Sequence, residues 1–142
     1  MPRSSSARNQ HSRTRSDHST EVAEDYVEAI AQRIQDHGVC RAMDLARQFA
    51  VSHVTVNRTV SRLQRDGLVT TTPYAPIELT AKGRKMADAS AHRHDIVYRF
   101  LLALGVDEQT ARVDSEGMEH HVSPETLQRM QQFIAEQTPE SK

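Results

Sequence analysis

From residue 19 onward, apolar positions return at helical spacing. Val22, Tyr26, Ile30 and Ile34 mark one buried stripe, which predicts a first helix capped by Ser19 or Thr20 and stopped by Gly38. Residues 41–50 repeat the pattern on a smaller scale, with Leu45 and Phe49 inward. After the short Val51-Ser52 link, Val56, Val60 and Leu63 recur at i, i+4 and i+7, so a third helix runs from about His53 to Arg65 with Ser52 as its cap. Two short helices joined this tightly form a helix-turn-helix.

The period then changes. Asp66-Gly67 stops the helix, Leu68 to Thr72 is β-branched, and Ile77 to Thr80 alternates like a returning strand across the Pro73-Tyr74-Ala75-Pro76 turn. This hairpin is the wing of a winged helix. Thr80 caps a long helix ending near Gly105, Asp107 caps another, and Ser123-Pro124-Glu125 starts a last helix striped by Leu127, Met130, Phe133 and Ile134. The expected fold is mostly α with a small β-hairpin wing. It comprises an N-terminal winged helix-turn-helix over 19–85 and a C-terminal helical domain over 86–142. Residues 1–18 are polar and rich in Ser and Arg, and are expected to form a disordered arm. Its Arg3, Arg8, Arg13 and Arg15 are suited to phosphates or a minor groove.

Facing Val56, Val60 and Leu63 inward turns Val54, Arg58, Ser61 and Arg65 outward, with Thr55, Asn57 and Arg62 on the flanks. Asn57 suits adenine, Arg58 suits guanine, and Val54 suits a thymine methyl. Arg62, Arg65, Lys82, Arg84 and Lys85 fall where phosphates would lie. The charge distribution agrees. Residues 33–85 hold nine Lys/Arg against four Asp/Glu, while residues 86–142 hold five against ten, beneath an overall net charge of −1. One half can face a polyanion such as double-stranded DNA, and the other can hold cations. The chain has no apolar run long enough for a membrane span, and one cysteine, Cys40, allows no intrachain disulfide; a cytoplasmic location is expected.

The chemistry concentrates in Glu116-Gly117-Met118-Glu119-His120. On a continuous helix, Glu116, Glu119 and His120 share one face, and two carboxylates without a basic partner repel unless a cation lies between them. Asp25 and Glu28 form a second acidic pair at i,i+3, and His94 offers a third source of ligand. Six such groups suit two cations with bridging carboxylates, or one cation with surrounding support. The set is rich in oxygen and free of sulfur, which favours Mn²⁺ or Fe²⁺. Catalytic signatures are missing: the chain has no Glu-x-x-His pair for a di-iron bundle, no HxxEH, no Gly-rich phosphate loop and no dinucleotide motif. A constitutive winged-helix protein with a structural metal, and a metal-storage protein, are the alternatives to a metal-controlled DNA binder.

Glu24-Asp25-Tyr26-Val27-Glu28, His92-Arg93-His94, Leu104-Gly105-Val106 and Glu116 through Ser123 together resemble the DtxR family of metal-dependent repressors, most closely its manganese-responsive branch. The likeness spans about residues 20–136. It implies a homodimer built through the C-terminal helical domain, with Asp25, Glu28, His94, Glu116, Glu119 and His120 as metal ligands. It also implies Mn²⁺ as co-repressor, up to two per subunit, at palindromic operators of manganese uptake genes. Iron-sensing relatives typically carry Met where Asp25 stands and Cys where Glu116 stands; Fe²⁺ is the alternative effector. The wing turn departs from the family in having no basic residue.

Overall fold

A computed structural model describes residues 3–137, with side chains described from His18 onward. The chain divides into two compact units, Met1–Ala87 and Asp88–Lys142. The boundary lies two residues beyond the expected division at 85/86. No helix among the described residues is long and apolar enough to cross a membrane.

In the first unit, α1 (Arg3–His37), α2 (Ala42–Phe49) and α3 (His53–Arg65) surround a core led by Val27, Ile30, Leu45, Val56 and Leu63, all buried. Helix α1 begins ahead of the Ser19/Thr20 start that the sequence suggested. The arm's side chains through residue 17, and with them the phosphate contacts expected of Arg3, Arg8, Arg13 and Arg15, lie outside the described residues. Gly38 ends α1 at φ +87°, its amide donating to the Ile34 carbonyl at 2.8 Å. Tyr26 of α1 stacks on Phe49 of α2, with ring centroids 4.6 Å apart. Helix α2 leaves through Ala50 in the left-handed region at φ 53°, a position where glycine would be unstrained.

The hairpin is shorter than expected. Strands β1 (Val69–Thr70) and β2 (Glu78–Leu79) pair antiparallel, Val69 opposite Leu79 and Thr70 opposite Glu78. The prolines at 73 and 76 lack the N–H that a longer ladder would use. The remainder is held from outside the ladder. The Ile77 amide donates to the Cys40 carbonyl at 2.8 Å, and Arg41 Nη1 donates to the Tyr74 carbonyl at 3.2 Å. Helix α4 (Ala81–Ala103) starts where expected, with the Thr80 hydroxyl accepting from the Gly83 amide at 3.0 Å and donating to the Gly67 carbonyl at 2.6 Å.

The second unit takes the rest of α4, then α5 (Glu108–Met118), a 3-10 turn (Glu119–His121) and α6 (Pro124–Gln137). Asp107 and Ser123 cap α5 and α6 as the sequence required, accepting from the Thr110 and Thr126 amides at 3.3 and 3.2 Å. Its core comprises Ile96, Val97, Leu101, Ala111 and Met130. Phe100 meets Phe133 edge to face at 5.4 Å.

Candidate metal centre and nucleic-acid interface

Glu119 is the anomaly of the second unit: a carboxylate only 2% exposed, inside a small helical core. Burial of an ionised carboxylate is costly unless charge or hydrogen bonds compensate it. Around it stand His94 Nδ1 at 3.9 Å, His120 Nε2 at 3.5 Å and the Ser90 hydroxyl, which donates at 3.4 Å. The His120 side chain is itself 1% exposed. Ser90 and His94 are four apart on α4, one helical turn, on the stripe that continues into the buried Val97 and Leu101. Ser90 was not among the residues singled out from sequence, though its i,i+4 relation to His94 was there to be read.

Glu119 forms with each imidazole a pair of donors spaced as two ligands of one divalent cation are. Separations of 3.5 and 3.9 Å are too long for good hydrogen bonds to the imidazoles. Two ligands about 2.1 Å from one ion, at angles of about 110–120°, lie about 3.5 Å from each other. A carboxylate with two imidazoles also suits the borderline-hard first-row ions.

The sequence placed Glu116, Glu119 and His120 on one continuous helix face, but α5 ends at Met118 and the next three residues tighten into a 3-10 turn. The inward stripe is Ala111, Ser115 and Glu119, each four residues on from the last and all buried. Glu116 lies about a hundred degrees round from Ser115 and is exposed. Thus Glu119 and His120 come together with His94, while Glu116 faces outward. In the first unit, Asp25 and Glu28 are partly buried on α1, beside Glu24 (8% exposed), Tyr26 and Val27.

On α3 the structure leaves Val54, Thr55, Asn57, Arg58, Ser61 and Arg65 exposed, and Arg62 partly so. Val54 is 65% exposed, an apolar side chain standing on a polar face. Ser52 Oγ accepts from the Thr55 amide at 3.1 Å and is 3.0 Å from its hydroxyl, so Thr55 has a structural duty in the cap. Lys82 is exposed, as its place in the basic segment suggested, and also serves the fold. Its ammonium donates to the Asp66 carbonyl at 3.0 Å and satisfies the C-terminal end of α3.

A capped recognition helix with a wing, followed by a unit that buries a carboxylate between two imidazoles, defines a DNA-binding regulator that answers to a metal ion. Comparison with known proteins agrees. Residues 18–76 match the iron dependent repressor N-terminal DNA binding domain, and residues 80–139 match the iron dependent repressor metal binding and dimerisation domain. The transcriptional regulator MntR of Escherichia coli O157:H7 is 46% identical over 116 residues, covering 82% of this chain and 75% of that protein. The HTH-type transcriptional regulator MntR of Bacillus subtilis (strain 168) is 34% identical over 115 residues, 81% of each. A solved manganese-dependent transcriptional repressor in complex with manganese superposes with a TM-score of 0.72 at 28% identity, over 80% of this chain. The manganese regulator SloR does so with a TM-score of 0.70 at 25% identity. The chain spans about half the length of these two solved proteins, 52% and 53%. The chain belongs to the iron-dependent repressor (DtxR) family of transcriptional regulators.

Proposed function

We propose that this protein is a manganese-dependent transcriptional repressor that grips a palindromic operator as a homodimer and controls manganese uptake genes. The observation that carries the reading is the burial of Glu119 between His94 and His120 in a chain that also presents a capped recognition helix. Relatives at 46% and 34% identity bear the MntR name, and a solved relative is described as manganese-dependent.

Glu119, His94 and His120 form the buried part of the donor set, and Asp25, Glu28 and the outward-facing Glu116 complete the six residues that the family resemblance implies, enough for two cations per subunit. Oxygen at Asp25 and Glu116, with no sulfur in the set, supports Mn²⁺ over softer ions; Fe²⁺ is the nearest competitor. A bound divalent ion supplies positive charge that offsets the carboxylates and ties residues of separate elements together. Ser90 holds the Glu119 carboxylate, and α4 fixes the His94 ring. Asp25 and Glu28 bring α1 of the DNA-binding unit into the same ligand set, so loading favours one arrangement of that unit.

Asn57, Arg58 and Val54 read bases, with Thr55 and Ser61 beside them, while Arg62 and Arg65 contact phosphates. Exposed Leu104, Val113 and Met118 of the second unit supply apolar surface for a second copy. Metal and operator must strengthen each other's binding by one common factor. The test is fluorescence anisotropy with a duplex enriched from a random library, titrated with Mn²⁺, Fe²⁺ and Zn²⁺. Mn²⁺ should tighten binding sharply, and operator should raise Mn²⁺ affinity equally. Equal DNA affinity with and without metal would refute the reading. Arg58→Ala should weaken the enriched duplex more than random duplex; equal losses would reduce Arg58 to a phosphate contact.

A further inference from the structure

We infer that Tyr74, at the tip of the wing, is a DNA-contacting residue whose phenol hydroxyl donates to a phosphodiester oxygen. It replaces the basic contact that the wing lacks. The inference rests on the operator-binding reading above.

Three observations converge. First, Tyr74 is 99% exposed, so its ring packs against nothing in the chain. Second, the turn that displays it is ordered by specific bonds. Tyr74 sits in the left-handed region at φ 65°, which is uncommon for a residue with a Cβ and unfavourable for an aromatic one. The conformation is maintained from both sides: the Ala75 amide donates to the Thr72 carbonyl at 3.0 Å, and Arg41 Nη1 donates to the Tyr74 carbonyl at 3.2 Å. A turn that strains its backbone to present a bare tyrosine is an expense with no return inside the fold. Third, Tyr74 lines one wall of an open groove whose other wall is the outward face of α3, with Asn57, Ser61 and Gln64. The tyrosine therefore flanks the surface that meets the duplex, where a sugar–phosphate strand would pass between recognition helix and wing.

The chemistry of that wall is neutral. Residues 71–76 are Thr-Thr-Pro-Tyr-Ala-Pro, with hydroxyls but no Lys or Arg. Arg41, which lines the same groove, donates one guanidinium N–H to the Tyr74 carbonyl. A neutral hydroxyl contributes affinity by hydrogen bonding without releasing a condensed counterion, whereas a Lys or Arg contact adds about 0.9 to the slope of log K against log salt. Tyr74 should therefore matter to affinity and be silent in salt dependence, a combination that a basic wing cannot give.

The experiment uses the full chain loaded with Mn²⁺ and the enriched duplex, with anisotropy read over a series of salt concentrations. Tyr74→Ala should weaken binding about three- to ten-fold, the range for one lost neutral hydrogen bond, with the salt slope unchanged. Tyr74→Phe should weaken it as much, because only the hydroxyl is removed. Tyr74→Gly, which accepts the left-handed turn without strain, should fold at least as well as wild type and lose the same affinity. Tyr74→Lys should restore affinity and steepen the slope by about 0.9. Wild-type affinity in Tyr74→Ala or Tyr74→Phe would overturn the inference, as would a shallower slope in Tyr74→Ala. Failure of the wild type to bind any duplex would instead overturn the parent reading.

Discussion

Two glycine-to-alanine substitutions, both inside helices, should move stability in opposite directions. Gly83 lies in the first turn of α4, where that helix crosses the start of the wing. A Cβ there would run into the Leu68 carbonyl oxygen, well inside van der Waals contact, and lie 2.9 Å from its carbon and 3.3 Å from Leu79 Cδ2. The obstacle is backbone, and that same carbonyl accepts from the Thr80 amide at 3.1 Å, so no side chain can swing aside. Alanine's helix propensity offers at most about 1 kcal/mol. Against it stand about 1–3 kcal/mol or more for overpacking and about 1 kcal/mol for a displaced hydrogen bond. The net is a loss of about 2 kcal/mol, or about 10 °C in Tm for a unit of this size. Gly117, in α5, has nothing within 4 Å of its would-be Cβ and no positive φ. Gly117→Ala should gain about 0.5–1 kcal/mol. Urea unfolding followed by circular dichroism, at one fixed protein concentration without metal, measures both. A Gly83→Ala protein as stable as wild type would refute the close approach of α4 to Leu68.

Glu119→Gln should abolish tight Mn²⁺ binding in calorimetry while leaving the metal-free protein as stable as before or more so, because a buried charge is removed; a large loss of metal-free stability would assign Glu119 a structural role instead. Ser52→Ala should cost about 1 kcal/mol in urea unfolding by removing the Thr55 amide's acceptor; no loss would mean that the cap is idle. The Cys40 thiol is pushed up from 9.0 to about 11, chiefly by burial, then by Asp44, with Arg33 opposing. The folded state therefore holds this proton where the unfolded chain releases it, and stability should fall as pH rises from about 9 to about 11. Cys40→Ala should flatten that part of the pH profile, and an unchanged profile would show that the thiol is not its source.

Much of the molecule could be read from single residues. Ser52, Thr80, Asp107 and Ser123 are caps whose chemistry is local, so their positions followed directly from the chain, as did the stops at Gly38, Gly67 and Gly105. Inward Val56, Val60 and Leu63 gave the outward face of α3 by rotation alone. The misreadings came where tertiary bonds override local pattern. The β-branched run 68–72 looked like a full strand, but Pro76 in the opposing arm and Pro73 at the turn leave the wing to be held by the Cys40 carbonyl and Arg41. Lys82, read as a phosphate ligand, has a second task that local pattern does not show, because a helix C-terminus lies within its reach. The Glu116 cluster assumed an unbroken helix. A 3-10 turn after Met118 puts Glu119 and His120 inside and leaves Glu116 out, and no residue in the segment announces it.

A hairpin whose ladder is two residues long on each side has little capacity to keep its own shape. Its form is borrowed from the connector between the first two helices. Chimeras that exchange residues 68–80 between relatives should therefore misfold locally unless residues 38–41 travel with them, which makes the wing and that connector a single heritable unit separated by some thirty positions of sequence.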